Sequence, residues 1–191
     1  MNTYSVPKLK ATPKVVDYHF DLVDVIEDYD EYIELLDALR EAQEDDTVHI
    51  HINTPGGDLS IVAQILHNID VCRGTVVTHA EGEVKSGGSL IFFKGDQLVV
   101  GEYAEFLAHA PHGGIGGKLP DQLDANKHTS EYVRKLYTDV YSDFYSKREI
   151  QSVLRGKELY ETSEQVTKRL KAATERMLKE YQEELEEVVG G

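Results

Sequence analysis

Apolar residues recur along this chain with two different periods, and the switches between them outline its elements. Between Thr47 and Asn53, Val48, Ile50 and Ile52 alternate with His49 and His51, the period of two that predicts a strand. Thr-Pro-Gly-Gly-Asp follows at 54–58, a turn signal. Ile61, Val62, Ile65, Leu66 and Ile69 then fall three and four apart, which predicts a helix stopped near Gly74. Thr75–Ala80 reads as a short β-branched strand. Upstream, residues 28–42 carry Ile33, Leu36 and Leu39 behind an acidic start. Acidic groups complement the positive end of a helix dipole, so this stretch is expected to be helical.

The pattern repeats downstream, with a Gly/Ser-rich turn at 82–89, a short apolar segment at 90–94 and a strand at 97–100. A further apolar stretch, 104–109, runs into His-Ala-Pro-His-Gly-Gly-Ile-Gly-Gly, and residues 110–124 read as a Gly/Pro-rich loop. From 129 to 147, Val133, Leu136, Tyr137, Val140, Tyr141 and Phe144 share one face of a long amphipathic helix. At 163–188, Val166, Leu170, Ala173, Met177, Tyr181 and Leu185 make the apolar face of a terminal helix. Strands alternating with helices predict an α/β fold. No internal repeat is visible.

Composition narrows the function. The 191 residues suffice for one domain with a sizeable core. Against 20 basic residues stand 35 acidic ones, and the net charge of −15 opposes binding to phosphate backbones, so nucleic acid is not an expected partner. A single cysteine, Cys72, excludes an intrachain disulfide framework and a Cys-rich zinc site. No apolar run is long enough to span a bilayer, and residues 1–14 lack the apolar region of a secretory signal. A cytoplasmic location is expected, with no membrane partner.

Acyl transfer at a peptide bond needs a nucleophile, a base and donors for the oxyanion. Three segments offer these groups. Ile52–Asp58 carries a strand into Pro-Gly-Gly, where glycines let backbone N–H groups approach a ligand closely. Gly82–Leu90 places Ser86 between a strand and an apolar helical segment, with Gly87 and Gly88 directly after it. A helix N-terminus beside a serine favours developing negative charge. The match to the Gly-x-Ser-x-Gly elbow is half complete, because Val84 stands in the first Gly position. Leu107–Gly114 supplies His109 at the end of its apolar stretch. Taken singly, these are an ordinary turn, a helix-capping serine and a structural histidine. Their order, at steps of about 30 and 20 residues, is more specific.

In that order and spacing the chain resembles the Clp protease proteolytic subunit family. The family's Asn-Ser-Pro-Gly-Gly, Ser-Met-Gly-Ser and His-Gln-Pro motifs are matched by Asn53-Thr54-Pro55-Gly56-Gly57, Ser86-Gly87-Gly88-Ser89 and His109-Ala110-Pro111. Glu158 to Val166 resembles the family segment of an aspartate, an aromatic two residues on and Ser-Ala-Glu-Glu-Ala. The resemblance covers roughly residues 20–168. It implies a crotonase-like α/β fold with an inserted handle helix at about 125–150 and, here, an extra C-terminal helix. The implied division is an N-terminal arm at 1–17, a peptidase domain at 18–168, and a helix and tail at 169–191.

The same resemblance implies a serine endopeptidase that cuts unfolded polypeptides inside a ring-shaped chamber. Ser86 would be the nucleophile and His109 the base. Glu158 would orient His109, and the N–H groups of Gly57 and Gly87 would hold the oxyanion. Homo-oligomeric rings (a tetradecamer in the family) and a separate AAA+ unfoldase are the implied partners, with no cofactor and no metal. The acid departs from the family aspartate: a glutamate reaches one methylene further, and a one-residue slip would put Lys157 there instead. The two chain ends also lack family motifs. A catalytically weak structural subunit, a viral head-maturation protease and an acyl-CoA enzyme of the same broad fold are the alternatives. The last needs no Ser–His pair.

Other features point less far. Lys85 adjoins Ser86, but consecutive residues of an extended segment face opposite ways. His112 could substitute for His109, although the Pro-Gly-Gly context matches His109. The glycine run before Lys118 fails the Walker pattern at His112 and Leu119, so ATP binding is not expected. His49 and His51 share one strand face and could ligate a metal. The sequence places no third ligand beside them, and a solvated strand face is the simpler reading.

Overall fold

A computed structural model of the chain describes residues 15–112 and 118–190. Most of the predicted arm, and the glycine run at 113–117, lie outside the described residues. A six-stranded sheet forms the centre of the fold. It comprises β1 (Asp17–Ile26), β2 (Thr47–Gly57), β3 (Thr75–Lys85), β4 (Gln97–Val100), β5 (Glu105–Ala108) and β6 (Leu159–Thr162). The strand order is β1-β2-β3-β5-β6, and β4 pairs with the first part of β3 while β5 pairs with its end. All pairings are parallel except β5 with β6. This is the mixed α/β architecture that the alternating periods predict.

Alternation in β2 sorts the residues by face. Val48, Ile50 and Ile52 are completely buried, whereas His49 and His51 on the opposite face are only half-buried. The buried face is covered by α1 (Ile33–Glu41), α2 (Leu59–Val71) and α3 (Gly87–Lys94). α2 starts where Asp58 caps it, its carboxylate accepting from the N–H groups of Ser60 and Ile61. α3 differs from an amphipathic surface helix, since every residue from Gly87 to Phe93 is buried. Its ring pairs, Phe92 against Phe93 and Phe106 edge-on at 5.2 Å, fill the space between α3 and β5.

Several elements depart from the sequence reading. β1 carries no clear apolar period, because only Leu22 and Ile26 of its ten residues are fully buried. It forms nonetheless, zipped onto β2 through a register that shifts between Val23 and Val25. Asp24 takes a positive φ of 56° at that shift, and its carbonyl accepts a hydrogen bond from the buried Thr54 hydroxyl. The same pairing keeps 54–57 in β2, with Val25 opposite Gly56 and Ile26 opposite Gly57. The expected Thr-Pro-Gly-Gly turn is therefore the strand's end.

The long helix also shifts. α4 runs Leu119–Tyr141, starting inside the expected loop with a proline in its first turn, where a missing N–H costs nothing. It stops before Phe144. A separate helix, α5 (Lys147–Leu154), follows behind a reciprocal cap between Ser146 and Glu149. α6 (Ser163–Gly190) is the predicted terminal helix. Tyr137, Tyr141 and Tyr145 form an edge-to-face column, with successive centroids 5.4 and 5.2 Å apart. Arg169 of α6 stacks over Tyr145 and pairs with the buried Glu161 carboxylate. That pair and its Tyr145 hydroxyl donor, 2.6 Å from Glu161, fasten α6 and β6 to the α4–α5 corner.

Candidate active site

Three chain segments converge at the C-terminal ends of β2, β3 and β5. β2 delivers Gly56 and Gly57, β3 delivers Ser86 at the start of α3, and β5 delivers His109 one residue past Ala108. Together they line a cleft of about 450 Å³ that holds Gly57, Ser86, Gly87, His109, His112 and Tyr137. Ligands of parallel α/β sheets gather at this end of the strands.

Ser86 sits at a sharp strand-to-helix turn. Its backbone has φ 53° and ψ −120°, a left-handed conformation that costs an L-residue of order 1–3 kcal/mol. Four bonds hold it there, one of them from the Leu90 N–H to the Ser86 carbonyl at 3.3 Å. Its N–H donates to the Leu107 carbonyl at 2.8 Å. Its carbonyl accepts from the N–H of Ser89 at 3.1 Å and from the Ser89 hydroxyl at 2.7 Å. The Ser89 hydroxyl is itself bonded to the Tyr141 hydroxyl at 2.7 Å. The Ser86 side chain makes no capping bond to α3 and stands in the cleft. Gly87, the first residue of α3, has an N–H without an intrahelical acceptor.

Close approach explains two of the glycines. A Cβ on Gly56, whose φ is +93°, would lie 2.6 Å from the Ser86 Cβ and 2.8 Å from the Gly87 nitrogen. A Cβ on Gly57 would lie 2.0 Å from the Ile26 carbonyl oxygen. The Gly-Gly pair thus lets the end of β2 press against both the serine turn and β1.

His109 is more than half-buried between β5 and α4. Burial lowers its pKa below the usual histidine value, the neighbouring His112 lowers it further, and Glu158 opposes both. Its ring therefore favours the neutral form, the form a base must have. The ring centroids of His109 and His112 are 4.9 Å apart. No direct hydrogen bond joins Ser86 to His109 among the described residues. Such bonds in unliganded sites are commonly unmade until substrate is bound.

β6 runs beside the end of β5, next to His109. β6 pairs with β5 as Leu107 with Tyr160 and Ala108 with Leu159. Glu158 and His109 each lie one residue beyond these paired strands, and Glu158 is the acidic side chain whose charge acts on His109. The Glu158 carboxylate accepts a 3.0 Å hydrogen bond from the Tyr160 hydroxyl. Lys85 points elsewhere, paired with Glu83 at 2.6 Å and Glu105 at 2.7 Å.

Sequence reasoning assigned no role to Tyr137, Ser89 or Tyr141. Tyr137 is almost fully buried and donates from its hydroxyl to the His109 carbonyl at 2.7 Å. The three tyrosines recur every fourth residue in α4 and beyond, which marks a shared face but not what that face touches.

Comparison with known proteins points to one family. A family model described as Clp protease matches residues 24–155. Among curated proteins, ATP-dependent Clp protease proteolytic subunit 1 of Leifsonia xyli is 30% identical over 46% of this chain and 44% of its own length. The ATP-dependent Clp protease proteolytic subunit of Streptococcus suis is 30% identical over 47% of each chain. That of Streptococcus gordonii is 29% identical over 50% of each. The matched region spans about half the length of these relatives.

Proposed function

Since the chain belongs to the Clp protease family, we propose that it is a serine endopeptidase whose nucleophile is Ser86. The observation that carries the reading is the strained Ser86 turn, held by the Leu107 carbonyl and the Ser89 hydroxyl, in the same cleft as a His109 biased toward its neutral form.

The chemistry follows from the arrangement. Ser86 Oγ attacks the scissile carbonyl carbon while His109 takes its proton. The carbonyl oxygen becomes an oxyanion, to which the N–H groups of Gly57 and Gly87 donate. His109 returns the proton to the departing amine. Water, deprotonated by His109, then cleaves the acyl-enzyme and restores Ser86. Glu158 holds the imidazole in the productive tautomer and stabilises its cationic form. Unfolded polypeptide is the proposed substrate, a ring of identical subunits the proposed assembly, and a separate ATPase the proposed supplier of unfolded chains.

The test is labelling of purified protein with a fluorophosphonate, read by intact mass, with Ser86→Ala alongside. One adduct per chain on wild type and none on the variant is expected. Equal labelling of both, or none on a folded assembly, would remove the peptidase assignment. A second reading, a catalytically slow structural subunit, is favoured by the Tyr160 hydroxyl that holds Glu158. It predicts ring assembly with no turnover of a small peptide ester.

A further inference from the structure

The face of the sheet turned away from the core carries a cluster that the peptidase chemistry does not use. His49 and His51 are joined there by His19 from β1 and His79 from β3, the partners that sequence spacing could not supply. Register makes the set: His19 lies opposite His49, and His51 opposite His79. The rings pack in parallel, His19 on His49 and His51 on His79 with centroids 4.5 Å apart in each pair. Their nitrogens are hydrogen-bonded in two further pairs. His19 Nδ1 is 3.1 Å from His51 Nε2, and His49 Nδ1 is 2.9 Å from His79 Nε2. His51 turns its other nitrogen, Nδ1, to the Glu81 carboxylate at 2.6 Å.

We propose that this cluster binds a borderline divalent transition-metal ion of the Zn²⁺ or Ni²⁺ class, with His19 Nδ1 and His51 Nε2 as the primary clamp. Three observations converge on it. First, the nitrogen spacing suits the ion. Two imidazoles bound at about 2.0–2.1 Å and at right-angled to tetrahedral separation place their nitrogens about 2.9–3.4 Å apart.

Second, the tautomer suits it. Donation from His51 Nδ1–H to Glu81 leaves a lone pair on His51 Nε2, directed toward His19. The same carboxylate–histidine contact orients and strengthens histidine ligands in metal sites. His19 needs only to carry its proton on Nε2 for its Nδ1 to become the second ligand, so binding neutral histidines releases no proton.

Third, the surroundings favour a cation. Asp21 lies opposite His51 in the β1–β2 register, Asp17 starts the same face of β1, and Glu81 sits at the cluster's end.

Among the described residues, no three His, Cys, Asp or Glu donors converge on one point. The site is therefore a two-histidine clamp completed by water, with His49 and His79 as a second clamp beside it, and not a closed four-ligand cage.

The inference is independent of the peptidase reading and is tested without activity. Untagged protein is titrated with Zn²⁺ and with Ni²⁺ by calorimetry, beside His51→Ala, His19→Ala, Glu81→Gln and a His67→Ala control on α2. Wild type and His67→Ala are expected to bind alike, with one or two ions per chain. His51→Ala and His19→Ala should weaken the first ion at least about tenfold, and Glu81→Gln should weaken it about 10–100-fold. Cu²⁺-loaded wild type should show nitrogen hyperfine structure in its paramagnetic resonance spectrum, lost in the His19→Ala/His51→Ala pair. Circular dichroism checks folding, and His51→Gln replaces any alanine variant that fails it. No saturable binding by wild type would overturn the proposal. So would unchanged affinity in the His19 and His51 variants, or binding lost only on His112→Ala.

Discussion

The Tyr137 hydroxyl donates a 2.7 Å hydrogen bond to the His109 backbone carbonyl, across 28 residues of chain. α4 thereby grips the main chain of the proposed base. Burial pushes the Tyr137 pKa far upward, so the hydroxyl stays protonated and remains a donor at any working pH. Tyr137→Phe removes this bond at nearly constant volume. The expected result is a slower fluorophosphonate labelling rate, by about tenfold, with a stability loss of about 1–2 kcal/mol in urea unfolding. An unchanged labelling rate would show that β5 alone positions His109.

Gly56→Ala tests the closeness of β2 to the serine turn. The added methyl would press on Ser86 and Gly87 at a residue whose φ is +93°. Labelling of Ser86 is expected to be nearly lost, with destabilisation of about 1–3 kcal/mol. Full labelling would mean that the turn shifts freely and that the strain at Ser86 is not needed.

Tyr160→Phe should accelerate the enzyme. The Tyr160 hydroxyl occupies one oxygen of the Glu158 carboxylate, and on the proposed mechanism its removal frees that oxygen for the imidazole. Glu158→Gln should slow labelling, but by less than the roughly 10⁴-fold seen where an acid firmly orients a histidine. Equal rates in wild type, Tyr160→Phe and Glu158→Gln would take Glu158 out of the mechanism.

The pH profile carries its own sign. His109 must be neutral to accept a proton, and burial together with His112 lowers its pKa from 6.5. The acid limb of kcat/KM for a peptide ester is therefore expected below pH 6.5. His112→Ala removes one lowering influence, so its acid limb should move to higher pH. A shift to lower pH would contradict the electrostatic account.

Stability should also fall on the acid side. Burial first, then neighbouring histidines, lower the pKa values of His49 and His79 from 6.5 in the folded chain. The unfolded chain then binds more protons as pH drops below about 6.5, and stability is lost from there down through the folded pKa values. Thermal unfolding in metal-free buffer from pH 7.5 to 5 should show this loss, and a His49→Gln/His79→Gln variant should show less of it. Identical slopes would place the acid sensitivity elsewhere.

Parts of this protein were legible because they are locally encoded. Val48, Ile50 and Ile52 in β2, and Ile61 to Ile69 in α2, state their period within a few residues. The three glycine, serine and histidine motifs lie in a readable order, and the structure brings them to one end of the sheet. β1 was missed because its burial comes from β2 rather than from its own alternation. α5 was missed although its Ser146–Glu149 cap is a sequence signal, since the aromatic period of α4 runs on through Phe144 and hides the break.

By itself the sequence determined the α/β class, the family resemblance and which residues could serve as nucleophile and base, because side-chain period and motif order are properties of neighbouring residues. Only the tertiary structure decided that Glu158 comes near enough to act on His109, that Tyr137 grips the His109 main chain, and that His19 and His79 flank His49 and His51. Those are relationships of strand register and helix docking between residues about 30 or more positions apart. A one-residue change in register turns every side chain of a strand to the other face, so such meetings are settled by the sheet as a whole and not by any segment read alone.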